Sequence, residues 1–221
     1  FHKRKSSDSG WSKSMDELTE RITEKIKLRE KRAKKLVIAN VSARHLHVCV
    51  ADLEKLFGKD YKLTKDRDLM QPGEFASKES VTIKGPKGEI KKVRVLGPVR
   101  KATQVEISRT DSFMLGISVP IRISGDTKNS APISVTGPNG LIEIKEGCVI
   151  AKRHVHMTPA DAEFFQLKDG ETIRVKCEGE RGLIFDNVVA RVRQDMTLEF
   201  HVDTDEANAA GIKNGDKVII L

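Results

Sequence analysis

One motif occurs twice in this chain. Arg44-His45-Leu46-His47, followed by Ala51, Asp52 and Glu54, is matched at a constant offset of 109 by Arg153-His154-Val155-His156, followed by Ala160, Asp161 and Glu163. Agreement at that many positions marks an internal duplication, so the fold must accommodate two copies of one supersecondary unit. A looser match lays Glu106 to Gly116-Ile117 on His201 to Gly211-Ile212 at an offset of 95. A third pair, Leu167-Lys168-Asp169-Gly170-Glu171 and Ile212-Lys213-Asn214-Gly215-Asp216, reads as two loops of pseudo-symmetric β-barrels, with Gly170 and Gly215 structural and placed for positive φ.

Five of the six histidines lie in these repeats. On a strand, alternate side chains share a face, so the two rings of a His-x-His point the same way and can grip one ion. A single such pair reads more readily as edge or core histidines bonded to neighbours; its duplication reverses that preference and favours ligands. Each half then supplies one set: His45, His47 and Glu106 in the first, His154, His156 and His201 in the second. Imidazole suits zinc, and three protein ligands with an open position is the pattern of catalytic rather than structural zinc.

From Leu36 onward the chain reads as short strands between turn signals. Those strands are 37–41, 81–84, 93–95, 105–108, 119–124, 133–135, 141–144, 173–177, 188–192, 198–202 and 217–221, and many short strands at this spacing favour barrels. Short helices are expected at Ala51–Phe57 and Pro159–Phe165, the latter with Thr158 as N-cap and proline at its start. The expected fold is mainly β: two pseudo-symmetric β-barrel domains with short helices, after an N-terminal helical extension. The domains are 36–44 plus 152–221 for one barrel, 45–151 for the other, and 1–35 for a disordered or amphipathic extension.

Within that extension residues 1–14 read as a disordered leader, and Met15, Leu18, Ile22 and Ile26 follow helical spacing on a highly charged segment. The helix serves either as a solvated lead-in or as a docking element for a partner. Residues 1–36 carry net charge +6 of the total +8, which leaves the remainder near neutral. Without a basic, aromatic-bearing face on the folded part, nucleic acid is not an expected partner. No apolar run is long enough for a membrane span and residues 1–14 lack the apolar core of a secretory signal, so a soluble, intracellular protein is expected. The three cysteines, Cys49, Cys148 and Cys177, fit neither a disulfide frame nor a zinc ribbon and are expected reduced.

Several further motifs, in order, carry a family resemblance: Val41-Ser42-Ala43-Arg44-His45-Leu46-His47, Gln71-Pro72-Gly73-Glu74-Phe75, Val95-Leu96-Gly97-Pro98 with Arg100, and Gln104-Val105-Glu106. Arg122-Ile123-Ser124-Gly125-Asp126, Lys152-Arg153-His154-Val155-His156-Met157 and Phe200-His201-Val202-Asp203-Thr204-Asp205-Glu206-Ala207 complete the set. The chain from Val37 to Leu221 resembles the PduL-type phosphate acyltransferases, or phosphate propanoyltransferases, of bacterial microcompartments. The resemblance implies a pair of β-barrels with a dinuclear zinc centre between them, and reversible exchange of a propanoyl or acetyl group between coenzyme A and inorganic phosphate. It places one zinc on His45, His47 and Glu106 and the other on His154, His156 and His201. It makes Arg100 the phosphate-binding residue and puts Ser124 near the reacting thioester; coenzyme A contacts are not identified. It further implies a bacterial cytoplasmic location inside a microcompartment, a part in propanediol degradation, and shell proteins as partners of residues 15–35. A homo-oligomer is left open. Two other readings of the same ligands stay in play: a dinuclear zinc hydrolase that activates water, and a non-catalytic zinc-stabilised binding module. Arg44 and Arg153 read evenly as ion pairs or as phosphate or coenzyme A contacts, and Cys49 as a small buried hydrophobe.

Overall fold

Alternating apolar residues give a strand one buried face, and two sets of such strands close here into two rings. The computed structural model describes residues 8–221, with side chains from Ser14 onward. In chain order the elements are α1 (Asp8–Ala33), β1 (Val37–Ser42), β2 (His45–Cys49), α2 (Val50–Phe57), β3 (Lys65–Asp68), β4 (Phe75–Lys84), β5 (Glu89–Arg100), β6 (Gln104–Glu106), α3 (Arg109–Leu115) and β7 (Ile121–Arg122). They continue with β8 (Ala131–Thr136), β9 (Leu141–Ala151), β10 (His154–Met157), α4 (Pro159–Phe165), β11 (Thr172–Cys177), β12 (Leu183–Val192), β13 (Glu199–Asp203), α5 (Thr204–Ala210) and β14 (Lys217–Ile220).

The first ring is the six-stranded barrel β1-β13-β10-β12-β11-β14, which closes by β14 pairing with β1. The second runs β4-β5-β2-β6-β9 and closes through β8, which pairs with both β9 and β4, while β3 and β7 add to its margins. The mainly β, two-barrel architecture expected from the repeat is therefore the observed one. Each barrel fills with its own core: Val37, Met157, Phe165, Phe200 and Val218 in the first, Leu46, Leu56, Ile83, Val93 and Val105 in the second. Side chains of this size buried this completely each contribute about 1.5–3 kcal/mol.

The repeat unit and the barrel are different pieces of chain. Strand β1 leads into β2 of the second barrel but pairs, parallel, with β13 of the first, setting Asn40 opposite His201. The end of β9 leads into β10 of the first barrel but pairs with β6 of the second, setting Val149 opposite Glu106. Both crossings line one small cavity with Glu106 and His201, through Ser42 on one side and Ala151 and Lys152 on the other.

The looser repeat also has a structural counterpart. Helices α3 and α5 start and end at an offset of 95, each opened by a capping box (Ser108 with Asp111, Asp203 with Glu206) and each closed by a left-handed glycine, Gly116 or Gly211. The strand expected at 105–108 stops at Glu106 because Ser108 is taken up as the cap of α3. That expected at 119–124 shrinks to Ile121–Arg122, where it pairs with β9. Helix α4 spans the expected residues with Thr158 as its N-cap, and Gly170 and Gly215 take positive φ.

Helix α1 begins at Asp8, ahead of the Met15 start marked by the apolar spacing. Residues 8–14, expected to be disordered, are thus helical, because extending an existing helix adds a hydrogen bond per residue without a new nucleus; residues 1–7 lie outside the described residues. Its C-terminal end is seated on the first barrel. Arg32 donates to the carbonyls of Phe165 and Leu221 at 2.8 and 2.5 Å, and Lys35 pairs with Asp161. Met15, Leu18, Ile22 and Ile26 face solvent, each about half exposed. No described helix is long and apolar enough to cross a membrane.

Candidate active site

The pleat and one strand pairing build each ligand set. Strand β2 runs antiparallel to β6 with His45 opposite Glu106 and His47 opposite Gln104. Strand β10 runs antiparallel to β13 with His154 opposite His201 and His156 opposite Glu199. Leu46 and Val155, between the histidines, turn into the two cores and are fully buried, which fixes the imidazoles on the other face. The structure thus brings together all six residues singled out in the sequence. Within each set the donor atoms lie within 4.8 Å of one another, and both sets open onto one cleft of about 940 Å³ between the barrels.

Hydrogen bonds fix where the ring protons sit. Nδ1 of His45 lies 2.9 Å from the Ala43 carbonyl, and Nδ1 of His154 lies 2.7 Å from that of Lys152. A carbonyl only accepts, so each Nδ1 carries the proton and each Nε2 presents a lone pair. Those Nε2 atoms face the Nε2 of the paired histidine at 3.2 Å for His45 and His47 and at 2.8 Å for His154 and His156. His156 has its Nδ1 3.1 Å from the Met196 sulfur, and the buried Nδ1 of His47 has no hydrogen-bond partner among the described residues. With the proton of each partner ring on Nδ1 the Nε2 lone pairs converge, an arrangement that repels unless a cation lies between them. The donor set fits a divalent ion with a preference for imidazole, held by His45, His47 and Glu106 or by His154, His156 and His201.

The surroundings keep four of these donors, His47, His154, His156 and Glu106, in the ligating protonation state. Burial, then the neighbouring His201, lowers His154 to about 3. His156 is lowered further by burial and by His154, His201 and Arg191, and His47 is well below the usual range through burial, His45 and Arg100. Burial pushes the Glu106 carboxyl up, but His45, His47 and the Ser124 hydroxyl outweigh it and bring the group down to about 2. Neutral imidazole and ionised carboxylate are the forms that bind metal.

Ser124 joins the first set directly. Its Oγ donates to Glu106 Oε1 at 2.6 Å, and Gln104 Nε2 donates to the same oxygen at 2.6 Å, leaving Glu106 Oε2 to face His45 Nε2 at 3.6 Å. Arg100, at the end of β5, lines the same cleft and donates to Glu74 Oε1 at 2.9 Å. The two repeat arginines are ion-paired alike: Arg44 with Asp111 at 2.7 Å and Arg153 with Glu206 at 2.6 Å, each partner being the third residue of the helix after the ligand strand. Cys49 is half-buried, accepts from Thr103 Oγ1 at 3.4 Å and does not line the cleft.

Sequence reasoning missed Arg191, which sits beside His156 in the β10–β12 register and lines the cleft. Among the described residues no hydrogen bond or ion pair occupies it. Burial, with Arg193 adding to it, lowers its pKa against the opposing pull of Glu106. Its alternation with Arg193 is visible in the sequence, but the register that aims it at the histidines is not. Glu199 and Gln71 were also missed, although the offset of 95 places Glu199 on Gln104.

Comparison with known proteins follows the same residues. The family described as phosphate propanoyltransferase matches residues 38–213. The phosphate propanoyltransferase of Thermotoga maritima is 56% identical over 186 residues, covering 84% of this chain and 89% of that protein. That of Lachnoclostridium phytofermentans is 54% identical over 198 residues, covering 88% and 92%, and that of Clostridioides difficile 47% identical over 207 residues, covering 94% and 99%.

Proposed function

The chain belongs to the phosphate propanoyltransferase family, and from that premise we propose that it is a zinc-dependent phosphotransacylase that moves a propanoyl or acetyl group directly between coenzyme A and inorganic phosphate. As a member of that family it is an acyltransferase whose substrates are an acyl-CoA and phosphate. The observation that carries the finer reading is the pair of three-donor sets with converging lone pairs on one cleft, lined also by Arg100 and Arg191.

Two zinc ions, when bound, would supply a Lewis acid for developing oxyanion charge and a soft partner for the thiolate. The chain's own groups do the rest. Arg100 uses one of its five donors on Glu74, which leaves the planar fork to hold phosphate and aim one oxygen at the thioester carbonyl. Arg191 offers a second guanidinium in the same cleft. Such orientation of two reactants is worth up to roughly 7–11 kcal/mol of barrier in well-aligned systems. Ser124 and Gln104 occupy one oxygen of Glu106 and so aim the other inward.

Direct transfer is supported by the lack of an activated protein nucleophile among the described cleft residues. Ser42 Oγ lies 3.4 Å from His45 Nδ1, but that nitrogen donates to the Ala43 carbonyl and cannot take a proton from the serine. Ser124 donates to Glu106, which its neighbours, outweighing burial, make a weak base.

The reading includes residence in the bacterial cytoplasm within a microcompartment. What supports it is the half-exposed stripe Met15, Leu18, Ile22 and Ile26 on α1, projecting from a helix end anchored by Arg32, a geometry suited to shell proteins.

The test is release of free thiol from propanoyl-CoA by metal-quantified protein, with and without phosphate, with acyl phosphate trapped as hydroxamate. Phosphate-dependent release matched by acyl phosphate is expected. Release independent of phosphate would mean a hydrolase and refute the transferase reading.

A further inference from the structure

Each ligand set owns one carboxylate, but in a different place. At the offset of 95, Gln104 and Glu106 of β6 correspond to Glu199 and His201 of β13. The first set presents its carboxylate as a donor atom; the second holds it one hydrogen bond behind. Glu199 is 1% exposed and accepts three hydrogen bonds: from Asn40 Nδ2 at 2.7 Å, from Gln71 Nε2 at 2.6 Å and from His201 Nε2 at 2.7 Å.

Gln71 reaches Glu199 from the other barrel, out of the loop between β3 and β4. Its amide orientation is fixed at both ends by one residue, because Nε2 donates to the Thr197 carbonyl and Oε1 accepts from the Thr197 N–H, each at 3.1 Å. The NH₂ group must therefore face Glu199. Three residues further along the same loop, Glu74 holds Arg100. The Gln71-Pro72-Gly73-Glu74 segment thus touches both the carboxylate behind the second ligand set and Arg100.

Resting on the dinuclear reading above, we propose that Glu199 is the positioning residue of the second metal site and that Gln71 is its latch across the seam between the barrels. The carboxylate can only accept, so it holds the His201 proton on Nε2 and leaves the Nδ1 lone pair for the ion that His154 and His156 share. A carboxylate behind an imidazole also makes it a stronger donor. Occupancy of the second site is thereby tied to the seating of the β3–β4 loop, whereas the first site depends on Gln104 and Ser124 from its own barrel.

The experiment is zinc titration of chelator-stripped protein against a chromophoric chelator, read as ions bound per chain and their affinities. Wild-type protein is expected to take two ions. In Glu199→Gln the affinity of one ion falls by about 10–100-fold while the other is unchanged, the range found when a partner behind a ligand is removed. Gln71→Leu, which leaves Glu199 and His201 in place, weakens the same ion to a lesser degree, and Glu74→Gln weakens neither. Cobalt-loaded variants report which site is emptied through loss of the three-histidine site's absorption bands. Two ions at wild-type affinity in both variants, or equal weakening of both ions, overturns the inference. If Glu199→Gln does not fold, Gln71→Leu decides alone. A wild-type chain that takes fewer than two ions refutes the dinuclear reading itself, and this inference with it.

Discussion

Metal-free protein should lose stability steeply as pH falls from 6.5 to 5. His47, His154 and His156 are all held below the ordinary imidazole value of 6.5, first by burial, with His154 at about 3. In the unfolded chain each titrates near 6.5. Below that pH the unfolded state therefore binds more protons than the native state, and stability must rise with pH across the window. At pH 5 the unfolded value is about 1.5 units above ambient, so each such imidazole costs about 2 kcal/mol, and three acting independently cost about 6 kcal/mol. That is comparable to the whole stability of a typical domain, about 5–15 kcal/mol. Glu106 does not contribute in this range, because its lowered carboxyl is ionised in both states above 4.5. The carboxyls of Asp203 and Glu206, which burial pushes up, act with the opposite sign; comparison with His154→Gln cancels them. The assay is urea unfolding of chelator-stripped protein followed by circular dichroism at intervals between pH 6.5 and 5. Stability that stays flat or increases on acidification, or a His154→Gln variant with the wild-type slope, would refute the reasoning.

Arg100→Ala should lower kcat/KM for phosphate by roughly 10–150-fold, the equivalent of one hydrogen bond to a charged group at about 1.5–3 kcal/mol, with a much smaller effect on coenzyme A parameters; initial rates of thiol release against phosphate concentration measure it. Saturating each site with zinc at about 1,000 times its dissociation constant should raise the melting temperature by roughly 8–16 °C per ion, seen as the difference between loaded and chelated protein in thermal melts. Deleting residues 1–28, which spares Arg32 and Lys35 and their seat on the first barrel, should keep activity within about twofold, as for changes remote from the core. The same deletion should abolish co-sedimentation with shells, and unchanged co-sedimentation would reject α1 as the docking element.

The site was legible where local periodicity sufficed. A His-x-His on a strand needs only the pleat to share a face, and the two offsets supplied the third residue of each set before any pairing was known. Helix α4 was legible because Thr158 and Pro159 mark its start. Helices α3 and α5 were not, although Ser108-x-x-Asp111 and Asp203-x-x-Glu206 are capping boxes in plain sight; the alternating apolar pattern of 105–108 and 198–202 is that of a strand and masks the helix starts. Arg191, Gln71 and Glu199 escaped for a different reason. Their roles depend on which strands become neighbours and in what register, and a chain's pattern of apolar residues does not encode the partner of a strand.

The duplication also explains why two ligand sets share one cleft. Had each repeat unit folded on itself, two identical barrels would each carry a separate set, free to diverge and to separate. Here the unit begins one strand ahead of its barrel, so β1 is paired beside His201 while its continuation β2 carries His45 and His47 into the other ring, and β9 and β10 repeat the arrangement in reverse. Each ring therefore contains a strand belonging to the other copy. The two crossings run through the seam, and the residues that flank them must face each other there. That geometry brings two equivalent donor sets together, and the substitutions that distinguish them, Gln104 against Glu199 and Glu106 against His201, then make them chemically unequal. A transfer between a thioester and a phosphate needs such inequality, because its leaving group is a soft thiolate and its nucleophile a hard oxyanion.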